Sequence, residues 1–350
     1  MPAMRSLLPD FAPSPGLSLQ MSLRRSIVAA IAQGRLAAGQ RLPPTRILAQ
    51  EFGISRNTVA AVYDALVERG LLTSVPRQGL FVAADIRVAE VSPSSRQGLD
   101  WSRVLKRRPT LQRNIVKPVD WQDYPYPFIY GQVDPELFPL SIWRALSRDA
   151  LGRSAVNYWA ADHTAADDPQ LVDAICRHVL PGSGVYARPE NVLVTLGTQH
   201  GLYLLAALLV SPRTTFGVED PGYPDVRNIA EFHGARLRQL NLDASGLCLD
   251  GALDGVDVAM VTPAHQCPTM VTMPLERRRA LVDWARRSEA IVVEDDYEGE
   301  GSFGETPPPP LTALDDSGCV VHLGTFSKII APGVRLGYMV GPPPLIAEAR

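Results

Sequence analysis

The chain has 350 residues, of which 46% are hydrophobic and 20% charged, an ordinary composition for a globular protein of more than one domain. No stretch approaches the roughly 18 apolar residues that span a bilayer, and residues 1–15 lack the apolar core of a cleavable signal, so we expect neither a membrane protein nor a secreted one. The four cysteines are widely spaced and form no Cys-x-x-Cys pair, so we expect thiols in a reducing cytoplasm and no metal site.

The net charge of −3 conceals an asymmetry along the chain. Residues 1–119 carry 17 Lys and Arg against 7 Asp and Glu, whereas residues 120–350 carry 17 against 30. Chance clustering is the plain alternative. The pattern otherwise indicates that the N-terminal part contacts a polyanion.

Residues 17–82 have the pattern of three helices followed by a hairpin. Leu23, Ile27 and Ile31 recur at four-residue spacing and predict an amphipathic helix that ends near Gly34. A second, short helix is predicted to be capped by Thr45. Its expected apolar side consists of Ile47, Leu48 and Phe52.

A third helix is predicted after Gly53, with Ser55 as its cap. Its expected buried face consists of Val59, Val62, Leu66 and Val67. The apolar runs 71–75 and 80–82 then flank a turn that contains proline and glycine, which predicts a β-hairpin. Together these elements make a winged helix-turn-helix.

The first turn of the third helix carries side chains that suit DNA. In a helix-turn-helix the second helix enters the major groove, where Arg56 can pair with guanine and Asn57 with adenine. Arg46 opens the preceding helix and suits a phosphate. The alternative is a set of solvated polar residues on a small helical domain. The candidate DNA contacts are Arg46, Ser55, Arg56, Asn57, Thr58, Arg77, Gln78 and Gly79.

Four motifs in this region resemble the DNA reader of the GntR family. They are RLPPTR at 41–46, ISRNTV at 54–59, LVERGLL at 66–72 and QGLFV at 78–82. The likeness runs from about residue 17 to 83. It implies a GntR-type DNA-binding domain over residues 1–83 and a dimer on double-stranded, two-part operator DNA.

The pattern dissolves over residues 84–125, where proline, serine and arginine dominate. The basic run at 106–108 lies within this stretch. Such composition is too polar for a core and predicts a basic linker.

Apolar runs then alternate with helical stretches over residues 126–350, which predicts a mostly parallel seven-stranded sheet covered by helices. Ligands of such sheets bind at loops beyond the strand ends. The predicted strands are 192–195, 214–218, 236–240, 258–261, 291–294, 320–323 and 335–340.

The motif GTFSK at 324–328 follows one of these strands. Lys328 can form an imine with an aldehyde when its amine is deprotonated. Thr325, Ser327 and Arg335 offer hydroxyls and a cation to a phosphate. Taken alone, a Ser-Lys pair more often marks a surface lysine.

The motif EDDY at 294–297 ends another buried-type strand. Asp295 and Tyr297 are two residues apart and can point the same way. A carboxylate there can hold a pyridinium nitrogen protonated, and a phenol can approach the ring oxygen. Glu294 and Asp296 are rivals for the carboxylate role. A metal site is the plain alternative, although no histidine lies close in sequence.

Three further strand ends carry weaker signals. At 196–199 a strand turns into a helix whose start can cradle a phosphate or be an ordinary cap; its candidates are Gly197, Thr198 and Gln199. Tyr223 can stack on a flat cofactor or pack in an ordinary turn. Gln266 can donate to a ring oxygen, with His265 beside it in a peripheral place.

In this order the motifs resemble the fold type I aminotransferases, and most closely the MocR-type regulators, in which a GntR reader is fused to that α/β fold. The likeness runs from about residue 126, near Phe128 and Tyr130-Gly131, to the C-terminus. It implies pyridoxal 5′-phosphate (PLP) as an internal aldimine on Lys328, with Asp295 at the ring nitrogen. The other implied contacts are Tyr297 at the ring oxygen, Tyr223 on the ring, and Gly197, Thr198, Gln199, Thr325 and Arg335 at the phosphate.

The resemblance implies a cytoplasmic, homodimeric transcription regulator that senses PLP, an amino acid or an amine through Lys328. A working aminotransferase with a DNA reader and an inert DNA-binding relic are the alternatives. The chain ends at Arg350, whereas the family continues with a small domain that carries a carboxylate-binding arginine. We therefore expect a PLP-binding domain that is C-terminally incomplete.

Overall fold

The structure is a computed structural model that describes residues 8, 11, 18–76, 78–84, 99–129, 131–161, 165–298 and 307–350. The chain divides into two compact units, Met1–Trp101 and Ser102–Arg350. Among the described helices, none combines the length and the apolar character needed to cross a membrane.

The first unit has three helices and a two-stranded antiparallel hairpin. They are α1 (Leu19–Ala32), α2 (Thr45–Phe52), α3 (Arg56–Glu68), β1 (Leu72–Val75) and β2 (Gly79–Val82). Val75 pairs with Gly79 across the turn. This order confirms the winged helix-turn-helix, and an apolar core formed by all five elements holds it together.

The helix starts follow local hydrogen-bond chemistry. Ser55 caps α3 as predicted, because its Oγ accepts the N–H of Thr58 at 3.0 Å. The predicted cap of α2 is wrong: Thr45 is the first helical residue, and Pro44 precedes it without a side-chain cap. Gly53 ends α2 in the left-handed conformation, with φ 67°.

The predicted buried faces need two corrections. Leu48 is fully buried on α2, but Ile47 is 51% exposed because it points to the other side of this short helix. On α3, Val67 is half-buried at the edge of the core. The remaining predicted face is buried: Val59, Val62 and Leu66.

The second unit is built around a sheet with helices along its chain connections. After α4 (Trp101–Val104), the helices are α5 (Leu140–Ala150), α6 (Arg153–Trp159), α7 (Pro169–Ala174), α8 (Thr198–Leu209), α9 (Pro224–His233), α10 (Leu275–Ser288), α11 (Leu311–Leu314) and α12 (Pro343–Ala349). A π-helical turn, Ile175–Val179, continues α7. Short 3-10 turns lie at Pro109–Leu111, Trp121–Asp123, Leu180–Ser183, Pro189–Asn191, Gly251–Leu253 and Pro332–Val334.

The strands are β3 (Val192–Thr195), β4 (Thr215–Asp220), β5 (Arg236–Asp243), β6 (Gly246–Leu247), β7 (Val258–Val261), β8 (Ile291–Asp296), β9 (Val320–Thr325) and β10 (Gly337–Val340). Their order in the sheet is β3-β10-β9-β8-β7-β4-β5-β6. Strand β10 is antiparallel to both neighbours, β6 is antiparallel to β5, and the other pairs are parallel. The mostly parallel sheet is confirmed, with the two-residue β6 as an eighth strand at its edge.

Two of the strand boundaries shift in ways that matter for the site. Strand β8 runs on to Asp296, so the acidic run belongs to the strand itself. Strand β10 starts at Gly337 rather than at residue 335, because Arg335 adopts φ 55° in the left-handed region and interrupts the extended backbone.

Candidate active site and DNA-reading helix

The candidate site lies where the strands of the second unit end. Strands β4, β7, β8 and β9 are parallel, and β3 points the same way because β10 is antiparallel to both β3 and β9. Their carboxyl ends therefore meet at one edge of the sheet, where open α/β sheets bind their ligands.

A cavity of about 660 Å³ opens at this edge. Nine sequence-predicted residues line it: Thr198, Gln199, Tyr223, Asp295, Tyr297, Thr325, Ser327, Lys328 and Arg335. Nine others line it too: Ile115, Lys117, Gly131, Thr262, Cys267, Pro268, Met270, Glu298 and Pro332. Residues that are far apart in sequence thus share one space.

Lys328 lies in the turn that follows β9 and is partly buried. Its Nζ is 4.0 Å from Oε1 of Glu298 and 5.7 Å from the centroid of the Tyr297 ring. Gly131 lies directly against this amine, since a Cβ at residue 131 would collide with Nζ. Gly131 also has φ 66°, which a side chain would oppose. The backbone at Gly131 thus forms one wall of the lysine's space.

Asp295 is 5% exposed near the end of β8. Its Oδ1 is buried and has no hydrogen-bond partner among the described residues. Burial, followed by the charge of Asp296, raises the pKa of this carboxyl to about 7, although His322 opposes the shift. A buried carboxyl oxygen without a donor is costly, so this atom is ready to accept a hydrogen bond from a ligand.

The two rival carboxylates differ from Asp295. Glu294 points to the opposite side of β8, where its oxygens accept the backbone N–H groups of Leu311 and Thr312 and face His322 at 3.2 Å. Asp296 also has an unpartnered buried Oδ1, but it does not line the cavity. Of the three, only Asp295 faces the same space as Lys328.

The start of α8 lies beside Arg335. Gly197 precedes the helix with φ 84°, and the Arg335 guanidinium occupies the side on which a Cβ would stand. Arg335 also donates to the carbonyl of Leu196 at 3.1 Å. Thr198 and Gln199 form the first turn of the helix and line the cavity, whereas Gly197 itself does not. A cation and free helix N–H groups at one place suit an anion.

The turn after β9 adds hydroxyl groups next to this cation. Thr325 Oγ1 donates to Ser327 Oγ at 3.0 Å and accepts the N–H of Ser327 at 3.1 Å. Both residues line the cavity, so they are close to a ligand held by Arg335.

Tyr223 is held by polar contacts at its hydroxyl. It donates to Oδ2 of Asp225 at 2.6 Å, and Gln199 donates to the hydroxyl at 2.9 Å. With its tip fixed in this way, the ring forms a side wall of the cavity.

The predicted role of Gln266 needs correction. This side chain is 1% exposed and does not line the cavity. Its Nε2 donates to Glu219, Pro221 and Cys267 at 2.8–3.0 Å, and its Oε1 accepts from Thr269. Gln266 therefore braces the loop after β7, and its donors are engaged within the protein.

Sequence reasoning missed Cys267, Met270 and Lys117. Burial and then the charge of Asp295 raise the pKa of the Cys267 thiol, which keeps it protonated. The Tyr297 hydroxyl lies 3.8 Å from the sulfur of Met270. Cys267 directly follows Gln266 in a motif already singled out, whereas Lys117 gave no local signal.

The first unit presents the predicted DNA-reading residues as follows. Arg46, Arg56 and Asn57 are exposed, and Nε of Arg56 lies 3.4 Å from Oγ1 of Thr45 on α2. The hydroxyls of Ser55 and Thr58 are engaged with each other at the cap of α3, which leaves Arg56 and Asn57 as the readers of its first turn. Gln78 and Gly79 are exposed at the wing, and Arg77 lies outside the described residues.

Comparison with known proteins matches both units. Residues 19–82 match the gntR family of bacterial regulatory proteins, and residues 148–350 match the class I and II aminotransferases. The chain is 42% identical to the HTH-type transcriptional regulator TauR of Rhodobacter capsulatus, over 97% of this chain and 71% of that protein. It is 35% identical to the probable rhizopine catabolism regulatory protein MocR of Rhizobium meliloti, over 93% of this chain and 66% of that protein. The chain belongs to the MocR-type family of transcriptional regulators.

This MocR-type regulator spans about two thirds of the length of MocR and slightly more of TauR. Its second unit has the fold of an archaeal alanine:glyoxylate aminotransferase, with a TM-score of 0.64 and 24% identity over 72% of this chain and 66% of that one. The class I and II aminotransferase fold implies PLP dependence in the family, and the GntR reader implies DNA binding. These relatives support the regulator interpretation over a working aminotransferase or an inert relic.

Proposed function

We propose that this regulator reads operator DNA through α3 and holds PLP in the cavity at the strand ends, where Lys328 senses PLP itself, an amino acid or an amine. The observation that carries the proposal is the buried, unpartnered Oδ1 of Asp295 in the same cavity as Lys328. A protonated pyridine nitrogen supplies the donor that this oxygen lacks.

The other lining residues suit the same ligand. Arg335, the hydroxyls of Thr325 and Ser327, and the first turn of α8 suit a phosphate. The fixed ring of Tyr223 can cover a flat aromatic ring. The residues therefore fit PLP in charge, in hydrogen bonding and in shape.

When bound, PLP supplies an aldehyde that condenses with amines and a ring that withdraws electrons. Lys328 would hold it, and for this the amine must first lose its proton. The nearby Glu298 carboxylate favours the charged amine, so the position of Glu298 affects when Lys328 is reactive. A positive charge beside Asp295 would lower its pKa from about 7, so that Asp295 would hold the ring proton.

DNA binding is carried by the exposed first turn of α3, with the wing and Arg46 at the phosphates. A two-part operator requires two readers, so the proposal includes a homodimer. Its mass in solution can be measured by sedimentation.

The experiment selects binding sites for the purified full chain from random duplexes, with and without PLP. It then measures the dissociation constant of the selected duplex under both conditions. We expect PLP to change the dissociation constant for wild type but not for Lys328→Ala, while Lys106→Ala responds to PLP as wild type does. An equal PLP response in Lys328→Ala and wild type would contradict the proposal.

A further inference from the structure

The segment over residues 107–117, here called the connecting segment, lies along α9. Nε2 of Gln112 donates to the carbonyl of Asn228 at 3.1 Å. Nδ2 of Asn228 donates to the carbonyl of Arg113 at 2.9 Å and to Oδ1 of Asn114 at 3.1 Å. The Arg107 guanidinium lies 4.8 Å from the centroid of the Phe232 ring. The chain between the two units is thus attached to the large domain at several points.

Asn228 is the centre of this attachment. It is buried on α9, only a few residues after Tyr223, whose ring lines the cavity. Because Asn228 holds both Arg113 and Asn114, the residues that follow them are placed at the cavity. Ile115 and Lys117 do form part of its wall.

The cations of the cavity have separable tasks. Arg335 lies at the start of α8 and beside the hydroxyls of the β9 turn, so it suits the cofactor phosphate. Lys328 is the amine that the proposed function assigns to the cofactor. Lys117 is the third cation among the described lining residues, and neither task involves it.

We infer that Lys117 binds the anionic group of the small amine that this regulator senses, a carboxylate or a sulfonate. The inference rests on the proposed function, because the amine end of that ligand is taken to react at Lys328. An ammonium group binds such an oxyanion as a point charge with strong hydrogen bonds. Lys117 belongs to the connecting segment, so the residue that selects the ligand also lies on the chain that leads to the DNA reader.

The test uses the full chain reconstituted with PLP and follows its visible absorbance as amines are added. β-Alanine and taurine are the probes for the carboxylate and the sulfonate, and n-propylamine has the same amine without an anionic group. We compare wild type with Lys117→Gln and with Lys106→Gln, a matched lysine that does not line the cavity. Lys117 is exposed on the segment, so its replacement leaves the fold intact.

We expect wild type to bind at least one anionic amine more tightly than n-propylamine, and Lys117→Gln to lose about tenfold of that affinity. The affinity for n-propylamine and all affinities of Lys106→Gln should stay unchanged. The loss in one probe only identifies the anionic group. An unchanged ratio of anionic to neutral amine in Lys117→Gln would overturn the inference, as would weaker binding of PLP alone, which would place Lys117 at the cofactor phosphate. Failure of wild type to take up PLP at all would instead reject the proposed function.

Discussion

The Nδ1 atom of His322 lies 3.2 Å from Oε2 of Glu294, and both side chains are almost fully buried on the neighbouring strands β8 and β9. Burial alone would raise the pKa of Glu294, but the hydrogen bond and charge of His322 lower it. Burial would likewise lower the pKa of His322, yet Glu294 raises it above its ordinary value. The two shifts agree on an ion pair next to the Asp295 site.

We expect His322→Asn to lower the free energy of unfolding by about 3–5 kcal/mol near neutral pH, because Glu294 is left buried without its partner. The contribution of His322 should be complete below its ordinary pKa of 6.5 and be lost as pH rises through the higher folded-state value. The contribution of Glu294 should be present above its ordinary pKa of 4.5 and be lost as pH falls through the lower folded-state value. Urea unfolding across this pH range measures both limbs.

The matched control is His178→Asn, since His178 is exposed on the π-helical turn. Its effect on unfolding should stay within about 0.5 kcal/mol. If the His322→Asn effect does not change with pH, the buried pair is not ionised.

Asp295→Asn should leave PLP attached to Lys328 but change its visible spectrum, because an amide cannot stabilise a pyridinium charge. Without PLP, the raised pKa of Asp295 means that stability is lost as pH rises through about 7. The apo variant should therefore be more stable than apo wild type at alkaline pH, by about 1–4 kcal/mol. Absorbance and urea unfolding measure the two effects. A spectral change in Asp296→Asn instead would show that the carboxylate is misassigned.

Lys328→Ala should abolish the visible absorbance that PLP acquires when an amine of the protein binds it. The sequence has lysines only at positions 106, 117 and 328, so borohydride reduction followed by peptide mapping gives an unambiguous answer. Lys106→Ala serves as the control and should keep the wild-type spectrum. Labelling of Lys117 would move the attachment site.

Arg56→Ala should lower the ratio of specific to non-specific DNA affinity, because a base-edge contact contributes about 1–3 kcal/mol of discrimination. Lys106→Ala should instead weaken binding to all DNA alike and flatten the log–log salt dependence by about one unit. Gel-shift titrations on the selected operator and on scrambled DNA at several salt concentrations separate the two effects. An equal loss on both DNAs for Arg56→Ala would make Arg56 a phosphate contact.

Asn228→Ala should release the connecting segment from α9, because two of its hydrogen bonds are donated by the Asn228 side chain. We expect trypsin to cleave after Arg113 several-fold faster in this variant. Asn241→Ala, which removes an exposed contact to Asp250, is the control and should be cleaved at the wild-type rate. Unchanged cleavage in Asn228→Ala would show that other contacts hold the segment.

The parts of the fold that local pattern determines were predictable. The apolar runs located every strand of the sheet except β6, and β3 and β7 were predicted to the residue. The period of two along β8 also separated Asp295 from its neighbours once the strand was known to continue through Asp296. The position of β10 between β3 and β9 was not predictable, because it depends on pairings distant in sequence.

The composition of residues 84–125 predicts a linker, and it gives no sign of what residues 107–117 contact. Their partner Asn228 is 114 residues away from Asn114, and a single buried amide leaves no periodic trace. The engagement of Gln266 was equally hidden, because its main acceptor, Glu219, comes from another strand end.

Gly131 has a consequence for how this site can change in evolution. Two separate restrictions apply to it: a left-handed backbone and the Lys328 amine on the side where a Cβ would stand. A mutation that satisfied one restriction would still violate the other, so single steps away from glycine are closed. Drift at this position would have to begin with the lysine, which makes Gly131 a fixed ruler for the reach of Lys328.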